Sequence, residues 1–256
     1  MASIRSVLGK LIARRELRRW RARAEAAEDT HLSTLRGQVT QARDLRGPLD
    51  ALIQVADRRL ALSAPGGEAF DLPFDVDWSW RPEIWRGALT RQGLTVLHSG
   101  EELGAEVQLF HDCDWPEVIL HQMRNQREDV LAPYCLRMEV FGFEGSFLSL
   151  AVNLPQEAAT GLTRRHLVSV SADVTLERPV PIYARLNIKH GPNTEQLVEP
   201  LPWHSEESLV EFDLAYSSIN EKRIEQVWVD IIFDDPAMNA VILRDLTFSR
   251  RPRAEL

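Results

Sequence analysis

The run VSVSADVTL, Val168–Leu176, places an apolar residue at every second position and a polar one between each pair. A strand with one buried and one wet side produces such a row automatically, whereas a helix scatters it around its axis. The same period of two recurs in FLSLAVN (147–153), PIYARLNIK (181–189), SLVEFDLAY (208–216), QVWVDIIFD (226–234) and VILRDLTFS (241–249), with Pro, Gly and Asn turns between the runs. GLTVLHS (93–99), AEVQLFHD (105–112) and YCLRMEVFGF (134–143) add to a total of about nine expected strands. Short connections with hardly any helix between them predict an antiparallel sandwich over residues 68–252. The stretch PEVILHQMRNQRED, Pro116–Asp129, is the exception and reads as a helix or long connection inserted among the strands.

The first 62 residues follow a different rule. Ile4, Val7, Leu8, Leu11 and Ile12 recur at helical spacing, and Arg14, Arg15, Arg18, Arg19, Arg21 and Arg23 crowd the turns that follow, with Trp20 among them. Thr30 reads as the N-cap of a second helix whose stripe is Leu32, Leu35, Val39 and Ala42. Gly47-Pro48 interrupts it, and Leu49, Leu52, Ile53 and Ala56 continue it, so this segment, 1–62, holds two or three helices. Ser63-Ala64-Pro65-Gly66-Gly67 is a linker or turn signature and marks the boundary.

A net charge of −8 hides an asymmetry: residues 1–62 carry 13 Lys/Arg against 7 Asp/Glu, a balance of +6, which leaves −14 for the remainder. A basic segment tied to an acidic body suits an anionic membrane surface or an acidic protein partner, and the acidic body argues against nucleic acid. Two cysteines, Cys113 and Cys135, with no export signal before them, point to free thiols in a reducing compartment. The expected location is cytoplasmic, peripheral to the inner membrane if the basic helix lies on lipid.

Four groups of residues carry potential chemistry. On the run 182–189, Ile182, Ala184, Leu186 and Ile188 point one way and Tyr183, Arg185, Asn187 and Lys189 the other; Trp228 and Asp230 share the outward phase of their own strand. Aromatic rings offer a surface to the C–H faces of a sugar, and planar Arg, Asn and carboxylate groups bond paired hydroxyls. The competing reading is a plain solvated sheet face. Trp78, Trp80 and Trp85, with Trp115 further on, form either a platform or a plug for the open end of the sandwich. His111, Cys113 and His121 show no structural-zinc spacing, so no metal and no cofactor is expected. Glu211, Asp213 and Asp230 supply carboxylates without a diagnostic spacing, and no GxSxG or glycine-rich phosphate loop occurs.

Three resemblances extend this reading. YARLNIK and the RME of Arg137–Glu139 resemble strand motifs of jelly-roll polysaccharide lyases, which would imply abstraction of a uronate proton; Val140-Phe141 stands where those motifs carry a further arginine. Over 70–252, DWSWRPEIW, GSFLSLAVNLP, YARLNIKHGPNTEQ and ILRDLTFSR resemble an uncharacterised alphaproteobacterial family, a domain of unknown function, which implies a bacterial source. The ending QVWVDIIFDDPAMNAVILRDLTFSR is similar to the closing strands of jelly-roll carbohydrate-binding modules, which implies a mainly β, jelly-roll-like sandwich. The expected function is non-catalytic binding of a glycan or partner on the Tyr183 face. The alternatives are an adaptor acting through the basic helix, or a lyase.

Overall fold

The computed structural model describes residues 2–63, 75–126, 130–202 and 208–253, and within them the side chains of all but 2–13, 50, 51 and 53–63. Ala64–Gly67 and Glu68, where the break and the start of the sandwich were expected, lie outside the described residues. The chain divides into two compact units, Met1–Ile53 and Gln54–Leu256.

α1 (Ala2–Glu25) lies in the first unit and is followed by α2 (Leu32–Ser63), which begins in that unit, runs through Gly47 and Pro48 without a break and continues past Ile53. The proline therefore does not divide it. Thr30 is not its cap either: its hydroxyl donates back to the Ala26 carbonyl at 2.6 Å, and the Ser33 N–H donates to His31 Nδ1 at 3.4 Å. Among the described side chains of this unit none is buried.

The second unit holds β1 (Trp78–Trp80), α3 (Glu83–Arg86), β2 (Gly93–Val96), β3 (Glu101–Leu103), β4 (Val107–His111), β5 (Val118–Arg124), β6 (Tyr134–Val140) and β7 (Leu148–Asn153). After α4 (Gln156–Ala159) come β8 (His166–Leu176), β9 (Ile182–His190), β10 (Asn193–Pro200), β11 (Ser208–Asp213), β12 (Ile224–Phe233) and β13 (Asn239–Pro252). One sheet has seven strands in the order β11-β8-β13-β6-β5-β2, with β1 also on β13; the other has six, in the order β10-β9-β12-β7-β4-β3. Neighbouring strands are antiparallel throughout, and from β6 onward the chain crosses repeatedly between sheets, the jelly-roll arrangement.

The alternation seen in the sequence builds the core between them. Ile182, Ala184, Leu186 and Ile188 of β9, Val227, Val229, Ile231 and Phe233 of β12, and Val168, Val170, Ala172 and Val174 of β8 are all buried. β9 turns into β10 through Gly191-Pro192, with His190 paired to Asn193; Gly191 adopts φ 63°, which a two-residue hairpin loop of this hand requires at its first position. Within the stretch read as a helix or long connection, Val118–Arg124 is a strand, β5, which pairs with both β2 and β6. Its inward row, Val118, Leu120 and Gln122, is buried, and the polar member is satisfied: the Gln122 amide donates to the carbonyls of Ile84 and Gly87 at 2.6 and 2.9 Å and accepts from the Leu89 N–H at 2.8 Å.

Candidate functional site

The outward residues of β9 and β12 come together as adjoining rows. Tyr183 stands opposite Ile232, Arg185 opposite Asp230, Asn187 opposite Trp228 and Lys189 opposite Gln226. On its other side β9 meets β10, which sets Gln196 beside Asn187 and Val198 beside Arg185. Beyond β12, β7 continues the rows with Asn153, Ala151 and Ser149. The six residues expected to share a face do share it.

They do not form an ordinary wet face, however. Asn187 is 0% exposed and Asp230 4% exposed, although both point away from the core. Burial of such groups is costly unless their hydrogen bonds are made, and here they are. Asp230 Oδ2 accepts from Arg185 Nε at 2.9 Å, from Arg185 Nη2 at 2.8 Å and from Asn187 Nδ2 at 2.8 Å. Asn187 Oδ1 in turn accepts from Gln196 Nε2 at 2.9 Å. The chain of bonds thus ties β10, β9 and β12 together and fixes the Arg185 plane. Lys189 lies apart from it, paired at 3.0 Å with Glu225, both about half exposed. Tyr183 is 36% exposed and Trp228 partly buried. A rigid guanidinium, a carboxylate and two aromatic side chains on one sheet surface can bond planar hydroxyl pairs and stack on apolar ring faces.

The remaining expectations separate. Trp85 is fully buried and its Nε1 donates to the Leu243 carbonyl at 3.0 Å; Trp80 lies 5.8 Å from Phe248, with the Arg86 guanidinium 5.9 Å from its ring. These tryptophans plug the sandwich, whereas Trp115 is 88% exposed and belongs to no such group. Glu211 and Asp213 sit on β11 in the seven-stranded sheet and Asp230 on β12 in the other, so these carboxylates do not form a pair. His111 and Cys113 are buried while His121 is exposed on β5, and no metal-holding cluster occurs among the described residues. In the first unit Arg14, Arg15, Arg18 and Arg19 are exposed, and Trp20 is partly buried with the Arg23 guanidinium 4.8 Å over its ring; Leu8 and Leu11 lie on the α1 backbone, their side chains outside the described set.

Sequence reasoning missed a surface groove of about 270 Å³ on the other sheet, lined by Gly93, Ile119, His121, Met123, Arg137 and Glu139. Arg137 and Glu139, the RME pair, bond each other at 2.6–2.8 Å along one strand, both about one-third exposed. It also missed Gln196, whose donor role depends on the β9–β10 register.

The chain belongs to DUF6478, a family of unknown function, whose model matches residues 1–256. No curated protein matches it in sequence. Among solved structures it is similar to the Family 11 carbohydrate-binding module from Clostridium thermocellum in complex with a mixed-linked tetrasaccharide, at 9% identity and a TM-score of 0.39, covering 64% of this chain and 97% of that one. It is also similar to the CBM22-1 xylan-binding domain from Paenibacillus barcinonensis, at 13% identity and a TM-score of 0.36, covering 66% and 100%. A third is the enzymatically active domain of bacteriophage CBA120 tailspike protein 4, at 5% identity and a TM-score of 0.39; 56% of this chain is covered but only 19% of that one, so the chain spans about a fifth of it.

Proposed function

We propose that this DUF6478 protein binds a glycan, without cleaving it, on the outward face of its six-stranded sheet, with Tyr183 and Trp228 as ring-stacking surfaces and Arg185, Asp230 and Lys189 as hydroxyl partners. The observation that carries the reading is the buried hydrogen-bonded chain Gln196–Asn187–Asp230–Arg185 on a surface that faces away from the core. A face that serves only to meet water has no need to bury an aspartate at 4% exposure and lock an arginine to it. A binding face does, because a pre-set donor and acceptor pattern lowers the ordering cost when the ligand arrives.

Asn187 and Gln196 are positioning residues in this reading, and Arg185 is the group that meets the ligand. Asp230 Oδ2 takes the three bonds from Arg185 and Asn187 that hold the guanidinium in place. The test is a glycan array probed with the full chain. Binding to at least one oligosaccharide class that falls tenfold or more in Tyr183→Ala and in Arg185→Ala, with folding retained, supports the reading. A chain that binds no glycan, or whose binding survives both substitutions, overturns it.

A further inference from the structure

The outward face of the six-stranded sheet carries the same arrangement twice. Its order, β10-β9-β12-β7-β4-β3, puts β9 second from one edge and β4 second from the other. Directly opposite residues of paired strands share a face. Followed through the registers, one row runs Tyr183, Ile232, Ser149, Phe110 across β9, β12, β7 and β4. The neighbouring row runs Arg185, Asp230, Ala151, Gln108 and ends on Glu102 of β3.

Both ends of these rows have the same parts. On β9 the ring of Tyr183, 36% exposed, stands two residues from Arg185, which its bonds to Asp230 tie across to the next strand. On β4 Phe110, 37% exposed, stands two residues from Gln108, whose Nε2 donates across to Glu102 Oε1 on β3 at 3.0 Å. Each end is thus an aromatic ring beside a polar pair held across two strands. An exposed phenylalanine is ordinary on a protein surface and alone carries nothing. Here it lies in the row of Tyr183 with a polar pair at the same offset. The middle of both rows is low: Ser149 and Ala151 are short and buried, and Ile232 is partly buried. Beside β4, a Cβ at Gly100 would stand 3.5 Å from Phe110 Cε1, so the missing side chain leaves that flank of the ring bare.

We propose that Phe110, Gln108 and Glu102 form a second subsite, and that the glycan is a linear chain bound by an interior stretch that crosses the strands from Tyr183 to Phe110. This rests on the glycan reading of the Tyr183 face. The two rings are three strand spacings apart, about 14 Å. A sugar unit of an extended polymer is close to one such spacing in length, so the rings stack on units three apart and about four units are needed to reach both. Two weak subsites joined by one ligand reinforce each other, because the second is filled from a high effective concentration. A single terminal sugar reaches one of them only. The exposed apolar groups are two rings separated by short side chains, unlike the continuous apolar centre of a protein interface.

The experiment is calorimetric titration of the full chain with the two-, four- and six-unit members of the linear oligosaccharide class that binds best on the array. Affinity should rise at least tenfold from two units to four and change less than threefold from four to six. Phe110→Ala should lower affinity for the six-unit sugar tenfold or more and leave the two-unit sugar within twofold. Gln108→Ala, a milder change to a partly exposed residue, should lower the six-unit affinity threefold or more, again sparing the two-unit sugar; circular dichroism follows the folding of both variants. Arg137→Ala, on the other sheet, should change neither. Affinity that does not depend on length overturns the second subsite, as does six-unit binding that survives Phe110→Ala and Gln108→Ala but is lost in Tyr183→Ala; the glycan reading of Tyr183 then stands. If no oligosaccharide binds, both readings fall. A wild-type dimer in sedimentation velocity that Phe110→Ala dissociates, with sugar affinity unchanged, assigns the ring to a contact between copies and overturns the proposal.

Discussion

Two arginine–aspartate pairs in the sandwich use the same chemistry to different ends. Arg81 and Asp245 meet as a fork, Nε to Oδ1 at 2.8 Å and Nη2 to Oδ2 at 2.6 Å, with the arginine side chain only 5% exposed and the aspartate 19%. Arg185 and Asp230 reverse that burial: the aspartate is 6% exposed and the arginine 35%, and both guanidinium nitrogens reach one oxygen. The first pair is closed. It sits at the bulge between Leu243 and Asp245, beyond the end of the β6 pairing and before β1 takes up the same strand. The second pair holds its cation on the surface with its carboxylate anchored beneath. Burial of the acid with exposure of the base makes a presented donor, whereas burial of the base makes a structural clasp.

Removing the acid should therefore cost the two pairs differently. Asp245→Ala strands a buried guanidinium without its carboxylate and should lower unfolding free energy by about 3 kcal/mol, read by urea titration. Asp230→Ala should cost less, about 1–2 kcal/mol, because Arg185 can turn to water, yet it should abolish glycan binding by freeing the arginine and Asn187. Equal losses from both substitutions would remove the distinction between clasp and presented donor.

The closed pair also has a pH signature. Burial pushes the Asp245 carboxyl above its ordinary value, with the Arg81 charge drawing it back. The native state then holds that proton more tightly than the unfolded chain does. Its contribution is full below the ordinary aspartate range near pH ~3.9 and is lost as pH rises through the raised value. Urea midpoints of the wild type should accordingly fall relative to those of Asp245→Asn as pH climbs from 4 toward 7, and parallel curves would show that burial does not govern this group.

The smallest stability effects belong to the exposed groups. Tyr183→Ala should stay within about 0.5 kcal/mol of the wild type while losing glycan binding at least tenfold. Arg137→Ala, which breaks a partly exposed pair on the opposite sheet, should change stability by no more than about 1 kcal/mol and leave glycan binding alone.

Alternation alone made β8, β9, β12 and β13 legible in the sequence, and it placed Tyr183, Arg185, Asn187, Lys189, Trp228 and Asp230 on one surface. It gave no access to their burial, which arises from register across strands some forty residues apart and from the Gln196 amide on β10. β5 was misread for a related reason. Its outward row contains Ile119 and Met123 and its inward row contains Gln122, so the apolar pattern is blurred at a strand whose inward amide serves backbone carbonyls. The tryptophan plug was readable as a class, but Trp85 and Trp115 differ only through the fold: one reaches the Leu243 carbonyl and the other extends into solvent. The Gly47-Pro48 dipeptide signalled an interruption, and the helix passes through it.

The central claim is that Arg185 is presented to a glycan by an anchored Asp230. Its most direct test is a ¹⁵N correlation spectrum that includes arginine Nε and tryptophan Nε1 signals, recorded while the full chain is titrated with an oligosaccharide selected on the array. The account predicts shifts of the Arg185 Nε–H and the Trp228 indole N–H, assigned through Arg185→Lys and Trp228→Phe, with Trp85 and Arg81 unmoved. Shifts confined to Arg137 and the backbone of Ile119–Met123, or no shift at saturating sugar, would contradict it.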